Sequence, residues 1–215
     1  MHGKDCKLTI VHTDRSFVVI DKPGGLLSVP GRSPENQDCV VNRIKMVFAE
    51  CIDQPAVHRL DMFTSGLMVL ALTKEAHRYL SRQFEQHTIQ KRYIALLDGN
   101  VGEKSGEITL SFRLDPDNRP YQIYDPVHGK AGTTRWKRLS RVAGKTRIEF
   151  MPFTGRTHQL RLHAAHTLGL GFPIIGDRLY GSGQEGDQML LHASYLSFLH
   201  PFTRKRIEFN SPAPF

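Results

Sequence analysis

Apolar residues in this chain fall in short runs, some alternating and some continuous, separated by clusters of Gly, Pro, Asp and Asn. Leu8 to His12 and Phe17 to Ile20 read as two strands around a polar turn, closed by Asp21-Lys22-Pro23-Gly24-Gly25. Val40, Ile44, Val47 and Phe48 recur at helical spacing within Cys39 to Phe48. Leu67-Met68-Val69-Leu70-Ala71-Leu72 is the most hydrophobic run and predicts a core strand over 66–72. Thr73 is placed to cap a helix whose apolar face is Ala76, Tyr79, Leu80, Gln83 and Phe84. Arg92 to Leu97 alternates as a strand, and strand-like pieces dominate 105–150, among them Thr133 to Leu139 and Thr146 to Met151 about an Ala143-Gly144-Lys145 turn. A helix is predicted over 157–168, stopped by Gly169, before strands near Leu190–Phe198 and Lys205–Phe209. Strands in runs with few helices between them predict an α+β fold with a mostly antiparallel or mixed sheet.

Length and composition narrow this further. The 215 residues suit one domain, or one domain in two lobes, with no repeat or linker to divide them. Apolar content of 40% and charged content of 23% are ordinary for a globular chain. The net charge of +8 and pI near 9.6 are not, and favour phosphate polymers or anionic surfaces as partners. No run reaches the roughly 18 apolar residues of a membrane span. The start, Met1 to Lys7, has no signal-peptide core, and Cys6, Cys39 and Cys51 suit free thiols in a reducing compartment, so a cytoplasmic protein is expected. The charge is concentrated: between Arg113 and Arg147 nine Lys or Arg residues stand against three Asp, giving +6 in one segment that also carries Tyr121, Tyr124 and Trp136. Basic groups interleaved with aromatics suit phosphate contact and base stacking, though a merely basic solvated surface gives the same pattern.

Several chemistries are disfavoured. Gly144-Lys145-Thr146 lacks the glycine a phosphate loop needs five positions earlier, where Leu139 stands. There is no Gly-x-Ser-x-Gly and no His-Glu-x-x-His. On a helix, His158 and His163 point about 140° apart, which argues against a metal site. The 157–168 helix holds one anomaly: Arg161 falls in the middle of an arc with Ala164, Leu168 and Ala165, while Gln159, His163 and His166 lie opposite. A core-facing guanidinium needs a carboxylate or phosphate partner. Asp61, directly before the most hydrophobic strand, is the best-placed candidate on sequence grounds. Held ionised by Arg161, it would serve as nucleophile or general base. No second carboxylate pairs with it as a glycosidase would require.

His58-Arg59-Leu60-Asp61-Met62-Phe63-Thr64-Ser65-Gly66 resembles the signature of the RluA-type pseudouridine synthases. Matches continue through Asp21 to Leu26, Lys91 to Leu96, Gly155 to His163, Gly176-Asp177-Arg178-Leu179-Tyr180-Gly181 and Leu191-His192-Ala193. The resemblance implies a pseudouridine synthase catalytic fold over residues 1–215, without a separate N-terminal RNA-binding domain, that isomerises uridine to pseudouridine in RNA with no cofactor and no metal. It implies Asp61 as the catalytic carboxylate, Tyr93 stacked on the uracil, and Arg161 paired to Asp61. Arg59 would fill the space left by a flipped base, and Leu160 or Leu162 would wall the uracil. Lys22, Arg32 and the basic segment, including Arg113, Arg119 and Lys130, would hold phosphates. Leu27-Ser28-Val29-Pro30-Gly31-Arg32 is similar to the early loop of the subfamily acting on 23S rRNA position 746 and tRNA anticodon-loop position 32. A monomer with no obligatory protein partner and no membrane is expected. Alternatives are the same reaction at another rRNA or tRNA uridine, a non-catalytic RNA-binding module on this scaffold, or a glycosidic-bond hydrolase.

Overall fold

A computed structural model describes residues 8–215, so Cys6 and the Met1–Lys7 start lie outside the described residues. In chain order the elements are β1 (Thr9–Thr13), β2 (Phe17–Lys22), α1 (Val40–Val47), β3 (Ser65–Ala71), α2 (Lys74–Glu85), β4 (Gln90–Leu97), β5 (Ser105–Leu114), β6 (Gln122–Tyr124), β7 (Lys130–Val142), β8 (Lys145–Pro152), α3 (Gln159–Ala165), β9 (Leu191–Leu199) and β10 (Arg206–Asn210). The fold is α+β, as the run of strands predicts. The described residues form two compact units, one of residues 8–90 with 193–213 and one of residues 91–192 with 214–215.

In the first unit the strand order is β1-β2-β3-β9, with β10 also on β9. β2 lies antiparallel to β3, from Phe17 opposite Ala71 to Lys22 opposite Gly66. Every residue of β3 is buried, as its unbroken apolar run requires of a strand covered on both faces. α2 supplies part of that cover. Thr73 caps it by accepting the Ala76 amide, and Ala76 and Leu80 pack with Phe17, Val19, Leu67, Val69, Leu196 and Phe198. Gln83 faces the same way, yet is satisfied by bonding both the carbonyl and the amide of Leu199. Cys39 caps α1, and both Cys39 and Cys51 are free thiols.

The second unit is an antiparallel sheet of order β4-β8-β7-β5-β6. β5 alternates, with Ile108, Leu110 and Phe112 inward. α3 is tied to β7 through Gln159, whose amide nitrogen donates to the Thr133 carbonyl and to the Thr134 hydroxyl.

α3 corrects the helical wheel drawn over 157–168. It has only seven residues, because His158 takes a left-handed conformation at φ 57° and His166 is already extended. Leu168, expected to face the core, is therefore past the helix and 60% exposed. Gln159 and His163, expected on the opposite side, are buried instead, so α3 is enclosed nearly all round. Arg161 is core-facing as expected.

Candidate active site

The loop carrying Asp61 is held at three alternate residues, His58 through its side chain and Leu60 and Met62 through their backbones. His58 accepts the Val69 amide at Nε2 (3.1 Å), which assigns its proton to Nδ1, and stacks on Phe84 with centroids 4.4 Å apart. Ser28 takes both polar groups of Leu60: its hydroxyl donates to the carbonyl at 2.7 Å and accepts the amide at 3.0 Å. Met62 offers its carbonyl to Gly25 N and to Lys22 Nζ, both at 2.9 Å. Thr64 N closes a turn back onto the Asp61 carbonyl at 3.1 Å. Gly66 then enters β3 at φ 107°, where a Cβ would collide with the Ala193 backbone. Between these ties Asp61 is half-buried and Arg59 is exposed.

Lys22 departs from expectation. Its side chain is fully buried, and Nζ donates to the carbonyls of Pro23 (2.9 Å), Leu26 (2.7 Å) and Met62. Three acceptors match the three donors of an ammonium group, leaving none for a phosphate. Burial pushes Lys22 down to about 7, and the Asp61 carboxylate acts in the opposite direction. Its place is thus beneath the Asp61 loop, with all three donors turned inward.

In the second unit, Arg161 meets a carboxylate that the sequence reading did not assign. Its Nε and Nη2 donate to Asp177 Oδ2 and Oδ1 at 2.7 and 2.6 Å, with side chains 4% and 0% exposed. Asp177 Oδ1 also accepts the Leu179 and Tyr180 amides at 2.9 and 3.1 Å. Desolvation works against the charged form of Asp177, but Arg161 and these amides outweigh it and hold the carboxyl below its ordinary range. The guanidinium carbon sits 5.1 Å from the centroid of the Tyr180 ring. The Tyr180 hydroxyl bonds His158 Nδ1 and accepts the Gln122 amide, both at 2.8 Å. The signal for Asp177 was present in its Gly-Asp-Arg-Leu-Tyr-Gly stretch, but no spacing rule links it to α3.

The remaining candidates are placed unevenly. Tyr93 is half-buried on β4 opposite Phe150. Leu160 and Leu162 are only 8% and 5% exposed, so each is chiefly a packing residue. Arg32, Arg119 and Lys130 are exposed. Arg113 is turned onto Asp125 at 2.6 Å. Within the basic segment Arg135, Arg138, Arg141 and Arg147 likewise bond protein acceptors, while Lys137 and Lys145 face solvent. Asp61 and Arg59 thus belong to the first unit, and Tyr93, Arg161 and the basic segment to the second.

Comparison with known proteins defines the class. Residues 16–166 match the RNA pseudouridylate synthase family, and the chain belongs to it. The protein is accordingly an RNA pseudouridine synthase, an isomerase that converts uridine in RNA to pseudouridine. It is 44% identical over 215 residues to the dual-specificity RNA pseudouridine synthase RluA of Pasteurella multocida, covering 98% of this chain and 95% of that protein. It is 41% identical to RluA of Escherichia coli K12 over 212 residues, covering 97% and 94%. Human RNA pseudouridylate synthase domain containing 1 shares the fold with a TM-score of 0.78 and 28% identity, covering all of this chain and 87% of that one.

Proposed function

We propose that this synthase has the dual specificity named in its relatives, acting on both rRNA and tRNA, at 23S rRNA position 746 and tRNA position 32, with Asp61 as the catalytic carboxylate. The observation that carries the Asp61 assignment is the anchorage at His58, Leu60 and Met62 of a loop whose tip leaves that one carboxylate half-exposed. The reaction breaks the N1–C1′ bond, turns the uracil while it is held, and joins C5 to C1′, after which C5 loses its proton and N1 takes one up. Asp61 acts on the sugar or the base as nucleophile or base. Tyr93 stacks on the uracil, and Arg161 completes the catalytic set. The target base must leave its stack first, at a cost of about a few kcal/mol. Arg59, exposed two residues from Asp61, suits the vacated space. Arg32, Arg119 and Lys130 are the phosphate contacts that exposure supports. We place the enzyme in the cytoplasm as a monomeric single catalytic domain, with no protein partner and no cofactor. None of its described helices is long and apolar enough to cross a membrane.

A tritium-release assay tests the reading. With 5-³H-uridine in an anticodon stem-loop RNA and in a 23S rRNA fragment, wild-type protein should release label from both without freeing uracil. Asp61→Asn should release none while still binding both RNAs. Release from one RNA alone removes dual specificity, free uracil would make the enzyme a hydrolase, and label release by Asp61→Asn removes the assignment. Binding should weaken linearly in a log–log salt plot if exposed cations meet phosphates.

A further inference from the structure

We propose that Asp177 is a positioning residue for catalysis, acting through Arg161. The inference rests on the reading above that Arg161 belongs to the catalytic set, and concerns what makes that arginine usable. An arginine side chain has several rotatable bonds, so its place on α3 says little about where its charge sits. Asp177 removes that freedom. It takes the Nε and Nη2 edge in a two-pronged grip, both partners buried, and so fixes the plane of the guanidinium as well as its position. The remaining three N–H donors then point in set directions.

Asp177 is itself fixed from behind. Its Oδ1 accepts the Leu179 and Tyr180 amides, so the carboxylate is locked to the turn that carries it. That turn leaves Gly176 at φ 77°, where a Cβ would collide with the Gln188 carbonyl. Tyr180 lies across the guanidinium and is held at its hydroxyl by His158 and Gln122. The chain of restraint therefore runs from the 176–181 turn to the head of Arg161. A pair kept only for stability has no use for this, since apolar residues of similar volume serve as well. Orientation is what the grip adds, and a displacement of about 1 Å in a catalytic group can cost on the order of 100-fold in rate.

The test is a double-mutant cycle on the single-turnover rate of tritium release, with RNA affinity and melting measured beside it. Asp177→Asn keeps an oxygen for the Leu179 and Tyr180 amides but loses the grip on Arg161. It should lower the rate by about 100-fold and leave the RNA dissociation constant within about threefold, at a temperature where the variant is folded. In an Arg161→Met background the same change should lower the rate by less than about threefold, because there is no guanidinium left to place. Equal losses in both backgrounds, or a wild-type rate for Asp177→Asn, overturn the proposal. Should Asp177→Asn not fold, Asp177→Glu carries the test. It keeps the charge but shifts it by one methylene, so a rate lowered about tenfold with RNA affinity unchanged supports positioning, and an unchanged rate overturns it. A wild-type rate for Arg161→Met is a different failure: it removes Arg161 from the catalytic set.

Discussion

In the Asp61 loop, Ser28, Lys22 and His58 all bond to main-chain atoms, whereas in the Arg161 cluster Asp177 grips the charged head itself. The difference follows from side-chain length. An aspartate has two rotatable bonds, so fixing its backbone nearly fixes its carboxylate. An arginine has four, and the cost of ordering them falls on whatever holds the far end. Exposure follows the same division: Asp61 is half-exposed, while Arg161 and Asp177 are buried. The arginine is enclosed because its positioning requires a partner on the head group.

The largest effect expected from breaking this contrast lies in the cluster. Asp177→Ala leaves a buried guanidinium without its carboxylate and should destabilise the protein by about 3–5 kcal/mol. Replacing both partners, Asp177→Leu with Arg161→Met, should recover most of that stability while leaving the enzyme inactive. Denaturant melts of the two variants decide it. If the double variant is no more stable than Asp177→Ala, the loss comes from the turn at 177–180 rather than from the unpaired charge.

His163, two residues along α3 from Arg161, sharpens the comparison because it is buried without a clamp. Its side chain is fully enclosed, and neither ring nitrogen has a well-formed hydrogen bond among the described residues. Burial pushes its pKa down from 6.5 to about 4, which the Gly132 backbone offsets only in part. The folded state thus keeps His163 neutral where the unfolded chain is already protonated. Stability from this group is present above pH 6.5, falls as the pH drops toward 4, and changes no further below that. The total is on the order of 3 kcal/mol. Asp177, held below its ordinary 3.8, contributes above that value and loses its contribution only under more acid conditions, so the two windows separate. Melts of wild type and His163→Leu at pH 7, 5.5 and 4.5 should show the wild type losing stability relative to the variant as the pH falls. A constant difference between them means that His163 is protonated in the fold.

Both charged groups were legible in the sequence to different degrees, for reasons of distance. β2, β3, α2 and the β7–β8 hairpin follow from local periodicity and caps, and they lie within a residue or two of expectation at most ends. α3 was misjudged because a wheel assumes an unbroken helix with one wet face, and the left-handed His158 together with cover on every side removes both conditions. That Arg161 needs a carboxylate follows from its burial; that Asp177 supplies one depends on a turn 16 residues away, which no spacing rule reaches. Lys22 was expected to hold a phosphate only through the family resemblance. Only the fold shows three carbonyls converging on it.

A milder break in the Asp61 loop distinguishes placement through the backbone from placement through the head group. Ser28→Ala removes the hydroxyl that serves both polar groups of Leu60, leaving a buried donor and a buried acceptor unmatched, at a cost of about 1–3 kcal/mol. Because Leu60 adjoins Asp61, the loop should also relax at its tip. The rate of tritium release should then fall while RNA affinity holds, since Ser28 is only 3% exposed and its hydroxyl faces inward. Ser28→Thr keeps the hydroxyl and should return most of the rate. If Ser28→Ala melts lower but turns over at the wild-type rate, the ties at Lys22 and His58 suffice to place Asp61. If Ser28→Thr fails to restore the rate although it folds, the volume at this site matters more than its hydrogen bonds, and the contrast with the Arg161 cluster narrows.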